Sequence, residues 1–282
     1  MCRLFGMSGG PEPVRATFWL LQAPDSLSDQ SRREPDGTGL GAFDAAGRPD
    51  VSKQPLAAFE DRAFAHAARE ISSRTFVAHV RYASTGALEL RNTHPFELDD
   101  RLFAHNGVVE DLPALERELG TDRARVRGDT DSERFFALIT REIERLGAVG
   151  DGIAAAARWV AGNLRLLSLN FVLVDATDLW ALRYPDVHDL YVLERADDQG
   201  TLQHAAGGRI GVSSEALADR PAVVVATERM DGDPAWSPLG SGELLHVDSE
   251  LSATRHRILD GPPAHPLRLA DLDPRAATSQ GA

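Results

Sequence analysis

Short runs of apolar residues alternate along the chain with longer stretches in which apolar residues recur every three or four positions. The short runs are typical of β-strands, and the three-to-four spacing is typical of helices that pack one face on a sheet. The predicted strands include CRLFGM, the end of the glycine-rich PDGTGLGAFD, the first part of RTFVAHVRYASTG, LNFVLVDA, DLWALRY, HDLYVLER, AVVVAT and GELLHVD. Because these strands do not alternate strictly with helices, the pattern predicts an α+β fold in which helices cover sheets.

Two helical segments predict which side chains face the core. The segments are AAFEDRAFAHAAREIS and the stretch that begins near Thr130. Their apolar residues, spaced to share one helix face, are Phe59, Ala63, Ala67 and Ile71 in the first and Phe135, Phe136, Ile139 and Ile143 in the second. A third helix is predicted over GIAAAARWVAGNL.

Two other segments carry local signals. RLFAHNGVVEDL is predicted to form a strand, a tight turn and a return strand, because an Asn-Gly pair between apolar runs is a strong hairpin signal. The final stretch, residues 261–282, is rich in proline and alanine and has few groups to bury. It is predicted to be a mobile C-terminal tail outside a domain that spans residues 1–260.

The glycines at positions 37, 39 and 41 do not have the spacing of a dinucleotide-binding loop. A strand, and not a helix, is predicted to follow them. We therefore interpret these glycines as places where backbone packs closely inside a sheet.

Composition narrows the classes of function. The chain has 282 residues, 43% hydrophobic and 26% charged, which is enough to bury a full-sized core. Its net charge of −13 disfavours a nucleic-acid partner, and no apolar run is long enough to predict a membrane span. A single cysteine excludes an internal disulfide and favours a reducing, cytoplasmic location. The expected partner is a small molecule or a protein.

That single cysteine is Cys2, next to the initiator methionine. If Met1 is removed, Cys2 carries a thiol and a free α-amine, whose reference pKa values are about 8.5 and about 7.7–8.0. A neutral amine can take the thiol proton and later return it to a leaving group, so the nucleophile and its base share one residue. The alternative interpretation is a small buried residue in the first strand.

Three further segments have both a structural and a chemical interpretation. Arg81 ends a predicted strand before the Ser84–Thr85–Gly86 loop, and it is either a surface residue or a bidentate ligand for a carboxylate. Asn106 and Gly107 form either a hairpin turn or a pair of donors for an oxyanion. Thr130 and Glu133 fit a capping box that places Asp131 in the first turn of a helix, where it either serves the helix or binds a substrate ammonium.

The order of these segments resembles that of the class II glutamine amidotransferases, which are N-terminal-nucleophile hydrolases. The resemblance rests on Cys2, P-D-G-x-G at residues 35–39, R-Y-A-S-T-G at 81–86, N-T-H-P-F at 92–96, A-H-N-G at 104–107 and G-D-T-D-S-E at 128–133. It covers residues 2 to about 250, and no sequence pattern typical of a metal site was found.

The resemblance implies a four-layer αββα sandwich, with two stacked, mostly antiparallel sheets between helix layers. It implies that Cys2 is the nucleophile, that Asn106 and Gly107 form the oxyanion hole, and that no cofactor is required. It also implies that Arg81 binds the α-carboxylate of glutamine, that Ser84, Thr85 and Gly86 line the pocket, and that Asp131 binds the α-ammonium. Ser84, Thr85 and Thr38 depart from residues that some members carry at these positions (threonine, histidine and tryptophan, respectively).

Three functions stay open at this point. The resemblance to short family members, such as the γ-glutamyl amidase of ergothioneine biosynthesis, predicts a stand-alone amidohydrolase that acts on glutamine or a γ-glutamyl amide. The alternatives are a glutaminase subunit that supplies ammonia to a separate synthase, and a non-catalytic module on the same fold. A papain-like pair of Cys2 with His79, His94 or His105 is disfavoured because CRLFGM is predicted to be a strand.

Overall fold

Two seven-stranded sheets form the centre of the molecule. The computed structural model describes residues 2–82, 87–195, 203–204, 212–213 and 220–281. The strands are β1 (Arg3–Ser8), β2 (Gly37–Phe43), β3 (Pro49–Gln54), β4 (Thr75–Arg81), β5 (Phe96–Leu98), β6 (Arg101–Val109), β7 (Arg165–Val174), β8 (Leu179–Arg183), β9 (Tyr191–Arg195), β10 (Gln203–His204), β11 (Val212–Ser213), β12 (Ala222–Ala226), β13 (Ser237–Pro238), β14 (Glu243–Val247), β15 (Ala253–Arg257) and β16 (His265–Pro266).

The helices flank these sheets. They are α1 (Leu27–Gln30), α2 (Arg62–Glu70), α3 (Leu112–Leu119), α4 (Asp131–Leu146), α5 (Val149–Asn163) and α6 (Pro274–Gly281). The longest, α4, is capped by Thr130, whose side chain accepts a hydrogen bond from the Glu133 N–H, and it ends at Gly147 in the left-handed conformation.

The first sheet has the strand order β13-β9-β12-β1-β4-β2-β3, and the second has the order β15-β14-β8-β7-β6-β5. Within these orders all pairs of neighbouring strands are antiparallel, and β16 adds a short parallel pair with β7. The short strands β10 and β11 pair with each other. The predicted α+β class is therefore confirmed.

Three apolar layers hold the sandwich together. The layer between the sheets contains Leu4, Val77, Leu102 and Val172 among its buried residues. Side chains on the outer face of the first sheet pack with the segment around Trp19 and with α2, and those on the outer face of the second sheet pack with α3, α4 and α5. Because both faces of each sheet are covered, the predicted four-layer αββα sandwich is confirmed.

The buried face predicted for α4 is confirmed, whereas the one predicted for α2 is partly wrong. In α4, the side chains of Phe135, Phe136, Ile139 and Ile143 are buried as predicted. The helix α2 begins only at Arg62 and buries Phe64, Ala67 and Ala68, whereas Phe59 is 38% exposed and Ala63 is exposed. The error in α2 came from assigning the preceding turn to the helix, which shifted the expected face.

The hairpin predicted at Asn106 and Gly107 is wrong. Both residues lie inside β6, a continuous nine-residue strand that pairs with β7. The glycine has a packing role there, because a Cβ at position 107 would lie 1.9 Å from the Ser168 carbonyl oxygen.

The glycines of β2 fill the packing role that the sequence predicted. A Cβ at Gly39 would lie 2.0 Å from the His94 carbonyl oxygen, and one at Gly41 would lie 2.8 Å from Leu102. The backbone that carries the N-T-H-P-F segment therefore crosses the inner face of the first sheet directly against β2.

The C-terminal segment packs on the domain along part of its length. Leu267, Leu272 and Ala276 are buried against Val108 and Leu167, and the Leu267 N–H donates to the Leu166 carbonyl oxygen over 2.8 Å. These contacts supply the buried groups that the composition of residues 261–282 did not indicate. The mobility predicted for this segment stays a prediction.

Candidate active site

Cys2 directly precedes β1, the fourth of the seven strands in the first sheet. Its side chain is 7% exposed and meets the backbone at the end of β4. The Tyr82 N–H donates to the Cys2 Sγ over 3.2 Å, and the thiol donates to the Tyr82 carbonyl oxygen over 3.3 Å. The register between β1 and β4, with Arg3 opposite Val80, places Cys2 level with Arg81.

Burial raises the pKa of the Cys2 thiol to about 11, and the negative charge of Glu34 raises it further. A thiolate is the nucleophilic form of cysteine, so a thiol in this environment needs a base to be reactive at neutral pH. No histidine ring in the described part of the chain bonds to the Cys2 Sγ, which disfavours a Cys–His pair.

Two carboxylates pair with Arg3, the residue after Cys2. The buried Arg3 guanidinium lies 3.5 Å from the Glu34 carboxylate and 2.7 Å from the Glu228 carboxylate. Burial raises the pKa of Glu34, while nearby positive charges, Arg3 among them, lower it. Sequence analysis missed Glu34, whose position directly before the P-D-G-x-G stretch was the available signal.

Asn106 joins the two sheets at Cys2. Its Nδ2 group donates to the Cys2 carbonyl oxygen over 2.9 Å, and both residues are buried. The Oδ1 atom of Asn106 is buried and has no hydrogen-bond partner among the described residues. An amide held this close to the nucleophile is a donor of the kind that stabilises an oxyanion.

Asn170 lies opposite Asn106 in the register of β6 and β7. Its Nδ2 group donates to the His188 carbonyl oxygen over 3.1 Å, and its Oδ1 atom accepts from the Tyr184 N–H over 3.0 Å. Asn170 therefore fixes the loop between β8 and β9 to the strand beside Asn106. A polar residue inside the apolar run LNFVLVDA was the signal for it.

Arg81 is the last residue of β4 and is 4% exposed, so it is not the surface residue that was the alternative. Its Nη1 group donates to the Ala87 carbonyl oxygen over 3.2 Å, and its own carbonyl accepts from the Asp36 N–H. By the strand register, Arg81 lies at the same end of the first sheet as Cys2. The predicted pocket residues Ser84, Thr85 and Gly86 lie outside the described residues.

Asp131 is buried at the first position of α4. Its Oδ2 atom accepts from the Val109 N–H over 2.8 Å, which ties the start of the helix to β6. Nearby, the His105 Nδ1 atom lies 3.0 Å from the Ser132 hydroxyl and its Nε2 atom 3.2 Å from the Ser168 carbonyl oxygen. The contact with Val109 places Asp131 beside β6, three positions along that strand from Asn106.

The structure thus brings Cys2, Arg81, Asn106 and Gly107 to one end of the two sheets and anchors Asp131 to the same strand as Asn106. Within the described residues, no group of three or more His, Cys, Asp or Glu side chains has the geometry of a metal site. No helix in the described ranges is long and apolar enough to cross a membrane.

A family model described as glutamine amidotransferases class-II matches residues 1–260. The chain belongs to this family. Class II glutamine amidotransferases are enzymes of glutamine amide hydrolysis and ammonia transfer, and this chain carries their domain.

Relatives of this amidotransferase include chains of similar and of greater length. The YafJ protein of Escherichia coli (strain K12) is 28% identical over 256 residues, which cover 86% of this chain and 96% of YafJ. The glutamine–fructose-6-phosphate aminotransferase of Mycobacterium tuberculosis (strain CDC 1551 / Oshkosh) is 30% identical over 182 residues, which cover 63% of this chain and 26% of that enzyme.

Solved structures share the fold of this amidotransferase. The glutamine phosphoribosylpyrophosphate amidotransferase of Bacillus subtilis superposes with a TM-score of 0.65 at 19% identity, over 93% of this chain and 50% of that one. A class-II domain protein from Silicibacter pomeroyi superposes with a TM-score of 0.60 at 21% identity, over 92% of this chain and 100% of that one.

Proposed function

We propose that this amidotransferase is an amidohydrolase that cleaves the γ-amide of glutamine or of a γ-glutamyl amide and releases glutamate with ammonia or an amine. The observation that carries the proposal is the position of Cys2. Cys2, the single cysteine of the chain, lies at the end of the central strand β1, level with the buried Arg81, and its backbone carbonyl accepts a hydrogen bond from the Asn106 amide.

The proposed reaction has two steps. After removal of Met1, the Cys2 α-amine takes the thiol proton, and the sulfur forms a bond to the γ-carbonyl carbon. The tetrahedral oxyanion accepts hydrogen bonds from Asn106 and Gly107, and the carbon–nitrogen bond breaks as the amine returns the proton to the leaving nitrogen. Water then adds to the thioester, and the carbon–sulfur bond breaks to give glutamate and the free thiol.

The α-carboxylate and the α-ammonium of the substrate also have candidate partners near Cys2. Arg81 would bind the α-carboxylate, because a planar guanidinium can donate two parallel hydrogen bonds to it. Asp131, whose carboxylate the Val109 N–H ties to β6, would bind the α-ammonium. Ser84, Thr85 and Gly86 would line the pocket next to Arg81.

The test is release of glutamate from glutamine and from γ-glutamyl amides by the wild-type chain and by Cys2→Ala. We expect Cys2→Ala to lose turnover, since it removes the only thiol. Intact-mass measurement of the active material should give a chain that begins at Cys2. Unchanged turnover in Cys2→Ala, or full activity with Met1 retained, would disprove the mechanism.

A second candidate is a subunit that supplies ammonia to a separate synthase. It is favoured by the relatives in which the matched region makes up about a quarter of a longer aminotransferase. Co-purification of a synthase whose ammonia-dependent reaction becomes glutamine-dependent on addition of this chain would favour this candidate. Hydrolysis of glutamine and of γ-glutamyl amides of small amines, with no synthase present, would favour the amidohydrolase.

A further inference from the structure

The C-terminal helix reaches the same end of the molecule as Cys2. In α6, Gln280 is 3% exposed, and its Oε1 atom lies 3.1 Å from the Nε2 atom of His188, which is 7% exposed. Burial of His188 lowers its pKa to about 4, so the ring is neutral at pH 7 and its Nε2–H donates to Gln280. Neither residue belongs to the motifs that indicated the family.

Strand register gives the position of His188 relative to Cys2. Tyr191 of β9 lies opposite Ala226 of β12, and Ala226 lies opposite Phe5 of β1. His188 precedes Tyr191 by the same number of residues as Cys2 precedes Phe5, and β9 runs parallel to β1. The segment that precedes β9 therefore leaves the first sheet at the same end as Cys2, and two strand spacings, about 10 Å, separate β9 from β1.

The second sheet fixes His188 in the same region. Its carbonyl oxygen accepts from Asn170, which lies opposite Asn106 in the register of β6 and β7. Val108, on the same face of β6 as Asn106, is in the apolar cluster with Leu272 and Ala276. The C-terminal segment thus packs on the strand that carries the proposed oxyanion hole.

The two sides of β1 have different roles in this arrangement. Arg81 is on β4, one neighbour of β1, whereas His188 precedes β9 and lies beyond β12, the other neighbour. A substrate whose α-carboxylate is bound at Arg81 and whose γ-carbon is at Cys2 extends its leaving group away from β4. The leaving group therefore points toward His188 and Gln280.

We propose that Gln280 and His188 form the wall of the subsite that receives the leaving amine, and that this wall restricts the enzyme to ammonia and small amines. This inference rests on the proposed function and specifies which leaving amines the enzyme accepts. The wall consists of a neutral imidazole and a carboxamide, so it offers hydrogen bonds and no net charge to the amine. Larger amines require Gln280 to move.

The first test compares kcat/KM for glutamine, γ-glutamylmethylamide and γ-glutamyl-p-nitroanilide in the full-length chain. Gln280→Ala removes one hydrogen bond and opens the wall, so we expect kcat/KM for the anilide to rise about 3- to 10-fold relative to glutamine. His188→Ala should change the ratio in the same direction. Thr278→Ala, at an exposed position of α6, is the matched control and should leave it unchanged.

The second test does not need turnover. Because Cys2 is the only thiol, the rate of carbamidomethylation by iodoacetamide reports on this residue alone. We expect Gln280→Ala to react several-fold faster than wild type, and Thr278→Ala to react at the wild-type rate. Unchanged labelling in Gln280→Ala together with an unchanged substrate ratio overturns the inference, provided thermal unfolding shows that the variant is folded.

The two proposals fail in different ways. If the wild-type chain hydrolyses none of the three substrates, the proposed function is wrong, and the labelling rates still decide whether Gln280 covers Cys2. If the wild-type chain is active but the Gln280→Ala substrate ratio and labelling rate equal those of wild type, only the leaving-group wall is wrong.

Discussion

At the scale of the residue, the chemistry depends on one nitrogen atom. While Met1 is attached, the Cys2 nitrogen is an amide and cannot act as a base. The thiol is then buried with a pKa of about 11, and it is protonated at neutral pH. Removal of one residue converts the amide into an amine with a reference pKa of about 7.7–8.0. Processing would therefore supply the base that the described side chains around the sulfur do not.

A prediction at this scale concerns Asn106. Asn106→Ala removes the Nδ2 donor beside Cys2, so we expect kcat to fall by about 10²- to 10³-fold, which is typical for loss of one oxyanion donor. KM should change much less, because the hydrogen bond to an oxyanion forms only in the transition state. Steady-state kinetics with glutamine measures both constants.

Asn163→Ala is the matched control for this prediction. Asn163 is exposed at the end of α5, and its amide donates to the Trp159 carbonyl oxygen of the same helix. Its kinetic constants should equal those of wild type. A kcat in Asn106→Ala within threefold of wild type would exclude Asn106 from the oxyanion hole.

At the scale of the element, the glycines of β2 allow a second segment of backbone to pack directly on the strand. The N-T-H-P-F segment lies against the inner face of β2, and Gly39 leaves no room for a side chain there. The same contact holds His94 against His79 of β4, with 4.2 Å between the ring centroids. Gly39 and Gly41 thus allow the N-T-H-P-F segment to pack against the sheet whose strand β4 ends at Arg81.

Gly39→Ala should destabilise the fold, because its Cβ would lie 2.0 Å from the His94 carbonyl oxygen and backbone would have to move. We expect the free energy of unfolding to fall by about 3 kcal/mol, the upper end of typical overpacking. Urea unfolding measures the change.

Gly162→Ala is the control for Gly39→Ala, since a Cβ at that helix position meets nothing within 4 Å. It should raise the free energy of unfolding by up to about 1 kcal/mol through helix propensity. Equal unfolding midpoints for Gly39→Ala and wild type would contradict this prediction, because they would show that the N-T-H-P-F backbone can move away from β2 without loss of stability.

The elements also show what local pattern can and cannot predict. Apolar periodicity predicted the buried face of α4, because the whole helix lies on one layer and its start is marked by the Thr130 cap. The Asn-Gly signal failed, because a turn preference at 106–107 was overridden by pairing of β6 with β7 along its full length. Pairing with a strand about sixty residues away cannot be predicted from a sequence window of ten residues.

At the scale of the whole molecule, four histidines are buried in neutral form. Burial lowers the pKa of His79 to about 3 and of His188 to about 4, and it also lowers the pKa values of His94 and His105. Their pKa in the unfolded chain is about 6.5. Below that pH the unfolded chain binds more protons than the folded one, so stability falls as the pH falls.

We therefore expect the free energy of unfolding to be lower at pH 5.0 than at pH 7.5. His79 and His188 each contribute up to about 2 kcal/mol of this loss, from about 1.4 kcal/mol per pH unit below the unfolded pKa, and His94 and His105 add to it in the same direction. Urea unfolding across this range should give a shallower pH dependence for His79→Gln. The exposed His66→Gln variant should keep the wild-type dependence, and a flat profile in wild type would contradict the assignment.

Much of the site could be predicted from the order of short motifs, since Cys2, Arg81, Asn106 and Gly107 do meet at one end of the sheets. The parts that could not be predicted come from distant positions with no motif of their own. Glu34 approaches Cys2 only because β2 pairs with β4. Gln280 reaches His188 only because the C-terminal segment packs on β6 and β7.

The central place of β1 in its sheet has a practical consequence for handling the protein. A peptide added ahead of Cys2 would keep its nitrogen an amide, and one added after Gln280 would follow directly on a residue that is buried against His188. Purification handles at either end would therefore interfere with the reaction under study. The exposed turn at Asp44–Gly47, between β2 and β3, is the better place for an inserted epitope or fluorophore.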